Sequence, residues 1–217
     1  MKLHRNSQKR IYFKDAIYFV TCKAFDNYPY FKERIFCDLF VENLRLCKRL
    51  KGFLLFGWVL TYDHFHLLVM PGDGFNISKI MQFLKRHINR DINFLLYSEG
   101  GIRESRLREK IRESRLREKI RESRLLGGEY EHLQSIIDEH DKKLILSRLQ
   151  FHQNHSNPHS HPPFRWQESF HDHYIRNNRD FDYHMDYIEY NPVKHDLPDN
   201  WPYIFTNPDY EDLIDEC

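Results

Sequence analysis

Residues 58–71, Trp-Val-Leu-Thr-Tyr-Asp-His-Phe-His-Leu-Leu-Val-Met-Pro, constrain the fold more than any other stretch. Phe53, Leu54, Leu55 and Phe56 before it, and Leu67, Leu68 and Val69 within it, are apolar and β-favouring. Residues 61–63 are turn-like, so the pattern predicts a β-hairpin. Residues two apart on a strand share a face. His64 and His66 therefore project side by side, while Phe65, Leu67 and Val69 point to a core on the other side. Two imidazoles on one rigid pleat can share a divalent cation. A pair of half-exposed strand histidines satisfies the same spacing, so the motif gains chemical meaning only from a partner elsewhere in the chain.

The 217 residues suffice for one good core. The expected organisation is a single domain over 1–217, with 102–163 as a helical, repeat-containing insertion and His/Pro linker, and 196–217 as an acidic tail. Aromatic residues make up 15%, with 17 Phe and 13 Tyr, enough to fill a core and to leave surfaces for stacking bases. No apolar run reaches the 18 or so residues of a membrane helix, and residues 1–10 are basic with no signal-type segment behind them. A cytoplasmic protein with no membrane partner is expected. Cys22, Cys37, Cys47 and Cys217 show no C-x-x-C spacing, which excludes a zinc knuckle or a disulfide framework from the pattern. The net charge of +1 hides a division: residues 196–217 hold seven acidic residues and no Lys or Arg, whereas 102–126 hold ten basic and five acidic ones. The remainder is mildly basic, which permits a local nucleic-acid patch without requiring one.

In chain order, residues 15–25 read as a first strand and 33–50 as an amphipathic helix with Ile35, Phe36, Leu39, Phe40, Leu44 and Cys47 at helical spacing. After the hairpin, Asn76 or Ser78 can cap a second helix running to about Tyr97, with Ile80, Phe83, Leu84, His87, Ile88 and Leu95 inward. Its other face carries Lys79, Lys85, Arg86 and Arg90 and could track a phosphate backbone. Residues 102–126 repeat a nine-residue unit, Ile-Arg-Glu-Ser-Arg-Leu-Arg-Glu-Lys, which turns about 900° on a helix and so builds no continuous apolar stripe. Pairs such as Glu104 with Arg108 suit a solvated helical arm, each worth only ~0.3 kcal/mol.

A further helix is expected over 129–150 with Leu133, Ile136, Ile137, Leu144, Ile145 and Leu149 as its apolar side. The His/Pro/Ser/Asn run 151–163 should hold no regular structure. A final strand is expected near 170–175; it contains a second H-x-H, His171 and His173, a weaker metal candidate because Asp172 cannot anchor the strand as Phe65 does. Asn177 or Asn178 then caps a helix through Tyr190, stopped by Asn191-Pro192. On it Phe181, Met185 and Ile188 form the buried stripe, and Tyr183, Tyr187 and Asn191 a separate one at i, i+4 and i+8. That second stripe supplies the partner for the histidine pair.

His64-Phe-His66, the segment Trp166-Gln-x-x-Phe-His-Asp-His-x-Ile-Arg176 and the ending Tyr187-Ile-Glu-Tyr-Asn-Pro-Val-Lys194 together resemble the single-tyrosine HUH transposases, and among them the REP-associated tyrosine transposases. The resemblance covers roughly 15–97 and 164–197. It implies an α+β fold with an antiparallel sheet of ferredoxin-like, RRM-like topology. It further implies a DNA strand transferase in which Tyr187 is the nucleophile, His64, His66 and Asn191 bind Mg²⁺ or Mn²⁺, and cleavage leaves a 5′-phosphotyrosine. Single-stranded or hairpin DNA would be the substrate, with Lys85, Arg86, Arg90 and Trp166 as candidate contacts. Relatives form homodimers, and no interface is legible in this sequence; no nucleotide cofactor is called for. Tyr183 and Tyr190 are alternative nucleophiles on neighbouring faces, and Asn191 precedes a proline that disfavours helical geometry. Two other readings stay open: a non-catalytic RRM-like nucleic-acid-binding module, and another HUH nickase.

Overall fold

The computed structural model describes residues 12–97, 130–157 and 160–216. The repeat at 102–126 lies outside them. Among the described residues the strands and α-helices follow one another as β1 (Tyr18–Lys23), α1 (Arg34–Lys51), β2 (Leu54–Leu60), β3 (His64–Met70), α2 (Ile77–Tyr97), α3 (Tyr130–Asn154), β4 (His171–Tyr174) and α4 (Asn178–Lys194). The strands pair antiparallel in the order β2-β3-β1-β4. Leaving out α3 and α4, the sequence β-α-β-β-α-β with β1 and β3 central is the ferredoxin-like arrangement expected from the hairpin and its flanks.

Local chemistry explains the boundaries. Gly52, in the left-handed region at φ 60°, closes α1 by donating its N–H to the Lys48 carbonyl at 2.8 Å. The Asn76 side chain caps α2 by accepting from the Lys79 N–H at 3.0 Å. One sheet face carries the main core: Val20, Leu55, Phe65, Leu67 and Val69 meet Phe36, Phe40, Ile80, Leu84 and Ile88 of α1 and α2. From α3, Ile137, Leu144 and Phe151 join this same core. Leu149, expected on the apolar side, is 54% exposed, because the covering helices meet only part of α3's circumference. The run 151–163 also departs from expectation. Phe151 is buried deeply enough to extend α3 to Asn154, and the Tyr30 hydroxyl donates to the Pro163 carbonyl at 2.9 Å, tying the proline segment to the body.

The opposite sheet face carries α4. Phe56, Val59, Leu68, Ile175, Ile188 and Ile204 form a smaller apolar cluster there, extended by Phe19, Phe181 and Met185. Gly57 sits where β2 is irregular, and a Cβ on it would lie 2.9 Å from the Met185 sulfur, so its missing side chain lets α4 lie close on the sheet.

The acidic end is more than a tail. Residues 201–215 run along the open edge of β2: the Leu60 N–H donates to the Tyr203 carbonyl at 3.0 Å, Phe205 N–H to Trp58 carbonyl at 2.9 Å, and Leu55 N–H to Asp215 at 2.7 Å. Asp212 meets Arg45 at 2.9 Å and Asp215 meets Lys48 at 2.8 Å. The edge is thereby covered, and part of the acidic charge is answered by α1. Among the described residues no helix is long and apolar enough to cross a membrane.

Candidate active site

Alternation on β3 sends Phe65, Leu67 and Val69 into the main core and His64 and His66 to the face that α4 covers. Both histidines are 3% exposed, so the half-exposed alternative does not hold. Their rings stand 4.9 Å apart, nearly perpendicular. Each ring is held through Nδ1. The Thr61 hydroxyl lies 2.8 Å and the Asp63 carboxylate 2.6 Å from that of His64, and the Thr21 hydroxyl lies 2.8 Å from that of His66. A ring fixed through one nitrogen presents the other as a ligand. Nε2 of His66 is buried with no hydrogen-bond partner. Burial works against the Asp63 carboxylate, but the hydrogen bond and charge of His64 and the charge of Lys23 prevail and hold its pKa below the ordinary range.

Over this pair lies α4, capped by Asn177, whose side chain accepts from the Asp180 N–H at 3.0 Å. The Tyr187 ring stands edge-on to His66 at 5.2 Å and to Phe19 at 5.7 Å. One turn further, Asn191 is fully buried with neither its amide oxygen nor its nitrogen partnered. A buried amide with both ends unsatisfied is costly, and such groups call for an explanation. Two imidazoles and an amide, with orphaned donor atoms on His66 and Asn191, fit a small divalent ion, so the residues assigned from the resemblance suit the group it implies.

Three sequence readings need correction. The helix does not stop at Asn191-Pro192; it runs through Lys194 with Pro192 inside it. A proline this near a helix end removes one N–H bond only, and the His195 N–H closes the turn on the Asn191 carbonyl at 3.1 Å. The face toward the histidines is also not Tyr183-Tyr187-Asn191. Tyr183 is 65% and Tyr190 62% exposed, whereas His184, Tyr187, Asn191 and His195 line the sheet side at i, i+3, i+7 and i+11. The alternative nucleophiles therefore face away. Trp166, taken as a candidate DNA contact, is buried against Phe31, Phe65 and Phe164 and donates its indole N–H to the Lys85 carbonyl at 3.2 Å.

Two residues were given no role in the sequence reading. Lys194 donates to the Tyr187 hydroxyl at 2.9 Å and lies 4.5 Å from that ring's centre, and His195 packs 4.7 Å from His64. They stand seven and eight residues beyond Tyr187, on the turn that a helix ending at Asn191 would lack.

Of the remaining DNA-contact candidates, Lys85 and Arg86 border a cleft of about 780 Å³ between α2 and residues 165–170, and Arg90 lies outside its lining. Lys79, Gln82, Arg86 and Arg165 line it with exposed side chains. Lys85 spends its ammonium on the carbonyls of Gln167, Glu168 and Ser169, at 2.7, 3.3 and 3.4 Å. Arg90 lies 2.6 Å from the buried Asp91 carboxylate, so its first duty is to the core.

His66 titrates well below the ordinary histidine value, first because of burial and then because of the positive groups His64, His195, Lys194 and Lys23. His195 is shifted the same way by burial and His64. At neutral pH these rings are uncharged, the form that binds a metal. The unfolded chain takes up protons near pH 6.5, and the folded chain resists them. Stability from these groups is thus full above about pH 6.5 and declines as the pH falls toward the lowered folded values. Calorimetric melting between about pH 7 and 5 should show this decline, and His66→Gln should flatten it.

Comparison with known proteins bears on the fold. No family model matches the chain. Over 41 residues, 18% of the chain, it is 49% identical to a Haemophilus influenzae protein provisionally named a REP-associated tyrosine transposase; the match spans 23% of that protein. A solved structure of a REP-associated tyrosine transposase bound to a REP hairpin superposes with a TM-score of 0.54 at 17% identity, covering 93% of this chain and 83% of that one. The chain is similar to the REP-associated tyrosine transposases. The sequence likeness is local and the structural likeness extends over nearly the whole chain, so the transposase-like fold is common to both.

Proposed function

We propose that this protein is a metal-dependent DNA transposase that cleaves and rejoins hairpin-associated single strands through a covalent bond to Tyr187. The observation carrying the reading is the pair of buried, partnerless donors, His66 Nε2 and the Asn191 amide, beside a tyrosine whose hydroxyl is already held by a lysine. His64, His66 and Asn191 would hold Mg²⁺ or Mn²⁺. When bound, the ion would polarise the scissile phosphate and offset the charge that develops on its oxygens.

The chain's own residues do the rest. Phe19 and His66 fix the plane of the Tyr187 ring, and Lys194 steadies its oxygen and stabilises negative charge as the phenol proton leaves. The phenol proton passes to solvent, the Tyr187 oxygen forms a bond to phosphorus, and the bond from phosphorus to the 3′ oxygen breaks, that oxygen taking up a proton from solvent. The product is a 5′-phosphotyrosine and a free 3′-hydroxyl. Phosphodiester energy is retained in the link, so attack by a 3′-hydroxyl reverses the step and joins strands without a nucleotide cofactor. His195 excludes solvent from one side of His64.

Incubation with labelled hairpin DNA should give an adduct that withstands denaturation, requires Mg²⁺ or Mn²⁺, and is lost with EDTA. Transfer of the captured strand to a second 3′ end separates a transposase from a simple nickase. A purely binding module would retain the DNA without any adduct.

The cleft beside α2 supplies the accompanying DNA surface in this proposal. Arg86→Ala is expected to weaken hairpin binding about equally across sequences and to lower the salt slope of binding by about one ion. Arg90→Ala should act on stability instead, because it removes the cationic partner of buried Asp91 and leaves Asn43 and His140 beside that carboxylate. Fluorescence anisotropy over a salt series, beside thermal melting, tells the two apart.

A further inference from the structure

A second cluster of ligating side chains lies outside this site. His173 comes from β4, and Asp180 and His184 come from the first two turns of α4. One ligand atom from each lies within 4.8 Å of the others. His173 Nε2 is 3.0 Å from the Asp180 carboxylate, His184 Nδ1 is 3.3 Å from it, and the two imidazoles stack at 4.7 Å. All three are partly buried, and Phe19 stands between this cluster and His66.

We infer that His173, Asp180 and His184 form a second divalent-metal site that takes Zn²⁺-like ions. Three ligands around one ion, at about 2.0 to 2.2 Å each, need mutual separations near 3 to 3.5 Å, so side-chain adjustments that include release of His184 Nδ1 from the Asp180 carbonyl 2.7 Å away complete the set. Asp and His at i and i+4 share a helix face, and His173 is brought to them by the pairing of β4 with β1, where it sits opposite Phe19. Two imidazoles and one carboxylate are a set that Zn²⁺, Co²⁺ or Ni²⁺ takes readily; the pair His64 and His66 would take the same ions, so variants rather than the choice of ion tell the two sites apart. The partners differ from the H-x-H reading of this segment: His171 is exposed and takes no part.

The site's position gives it a consequence. It joins the edge strand to the start of the helix that carries Tyr187 and Asn191. A bound ion pins that helix to the sheet from the end opposite Lys194.

Titration with Co²⁺, followed by visible absorption and equilibrium dialysis, tests the site on the full chain. Wild type should take up one equivalent more than H173Q/H184Q, with the intense bands of a low-coordinate cobalt ion, and H64Q/H66Q should keep those bands. Saturating Zn²⁺ should raise the melting temperature of H64Q/H66Q by about 5 °C at a hundredfold excess over the dissociation constant, and slow amide exchange in residues 178–184. Equal cobalt uptake by wild type and H173Q/H184Q would overturn the assignment and place any binding elsewhere, including the histidines of 152–161. If H173Q/H184Q is unstable, single His173→Gln serves in its place: it should weaken uptake at least tenfold, and unchanged affinity would refute the site.

Discussion

Tyr187→Phe should abolish the covalent DNA adduct while leaving the protein folded. The substitution removes one oxygen whose only hydrogen bond among the described residues is from exposed Lys194, so the loss in stability should be at most about 1 kcal/mol. The ring keeps its edge-on contacts with His66 and Phe19, so α4 has no reason to move. Adduct formation, by contrast, loses its nucleophile, and a fall on the order of 10⁴-fold or more is expected. Tyr183→Phe and Tyr190→Phe should behave as wild type, since both rings face solvent. A denaturing gel of the four proteins with labelled hairpin DNA and Mn²⁺ decides it. An adduct that persists in Tyr187→Phe and disappears in one of the other two would move the nucleophile to that residue.

Asn191→Leu should separate stability from activity. In the folded protein the Asn191 amide is fully buried and both its polar atoms lack partners, a cost of about 1 to 3 kcal/mol for each unsatisfied group. Leucine has the same number of side-chain heavy atoms and no polar atoms to strand, so the metal-free variant should melt several degrees higher than wild type, at about 2 to 4 °C per kcal/mol for a chain of this length. The same change removes a proposed ligand, and Mn²⁺-dependent adduct formation should fall about a hundredfold or more. A lower melting temperature with undiminished activity would mean that Asn191 serves packing alone. The paired outcome, more stable and less active, is hard to obtain from a residue that only packs.

The legible parts of the molecule were those with a period. Alternation around His64 and His66 gave the hairpin and the face of each residue, and the 3.6-residue spacing together with Asn76 placed α2 to within a residue of its start. Position in the folded whole was less legible. Trp166 stood among the candidate DNA contacts; its burial comes from Phe31, Phe65 and Phe164, of which only Phe164 is near it in sequence. Lys85 and Arg90 read as a phosphate-tracking face, yet their partners are backbone carbonyls more than 80 residues away and a buried carboxylate next door. Ending α4 at Asn191-Pro192 followed from a sound local rule. The rule concerns the lost N–H and the ring clash, and both are tolerable when the preceding turns are already held by Phe181, Met185 and Ile188 on the sheet. From that one misplaced boundary came the omission of Lys194 and His195.

The segment along the edge of β2 also sets a clock. Trp201 donates to the carbonyl of Leu60, 141 positions earlier in the chain. A ribosome adding roughly 5 to 20 residues per second needs about 7 to 30 s to make the intervening stretch. During that interval the edge of β2 has emerged and its cover has not, and an uncovered apolar edge invites pairing with another nascent chain. Faster elongation or a chaperone that shields β2 would raise the yield of folded protein without changing its stability at all.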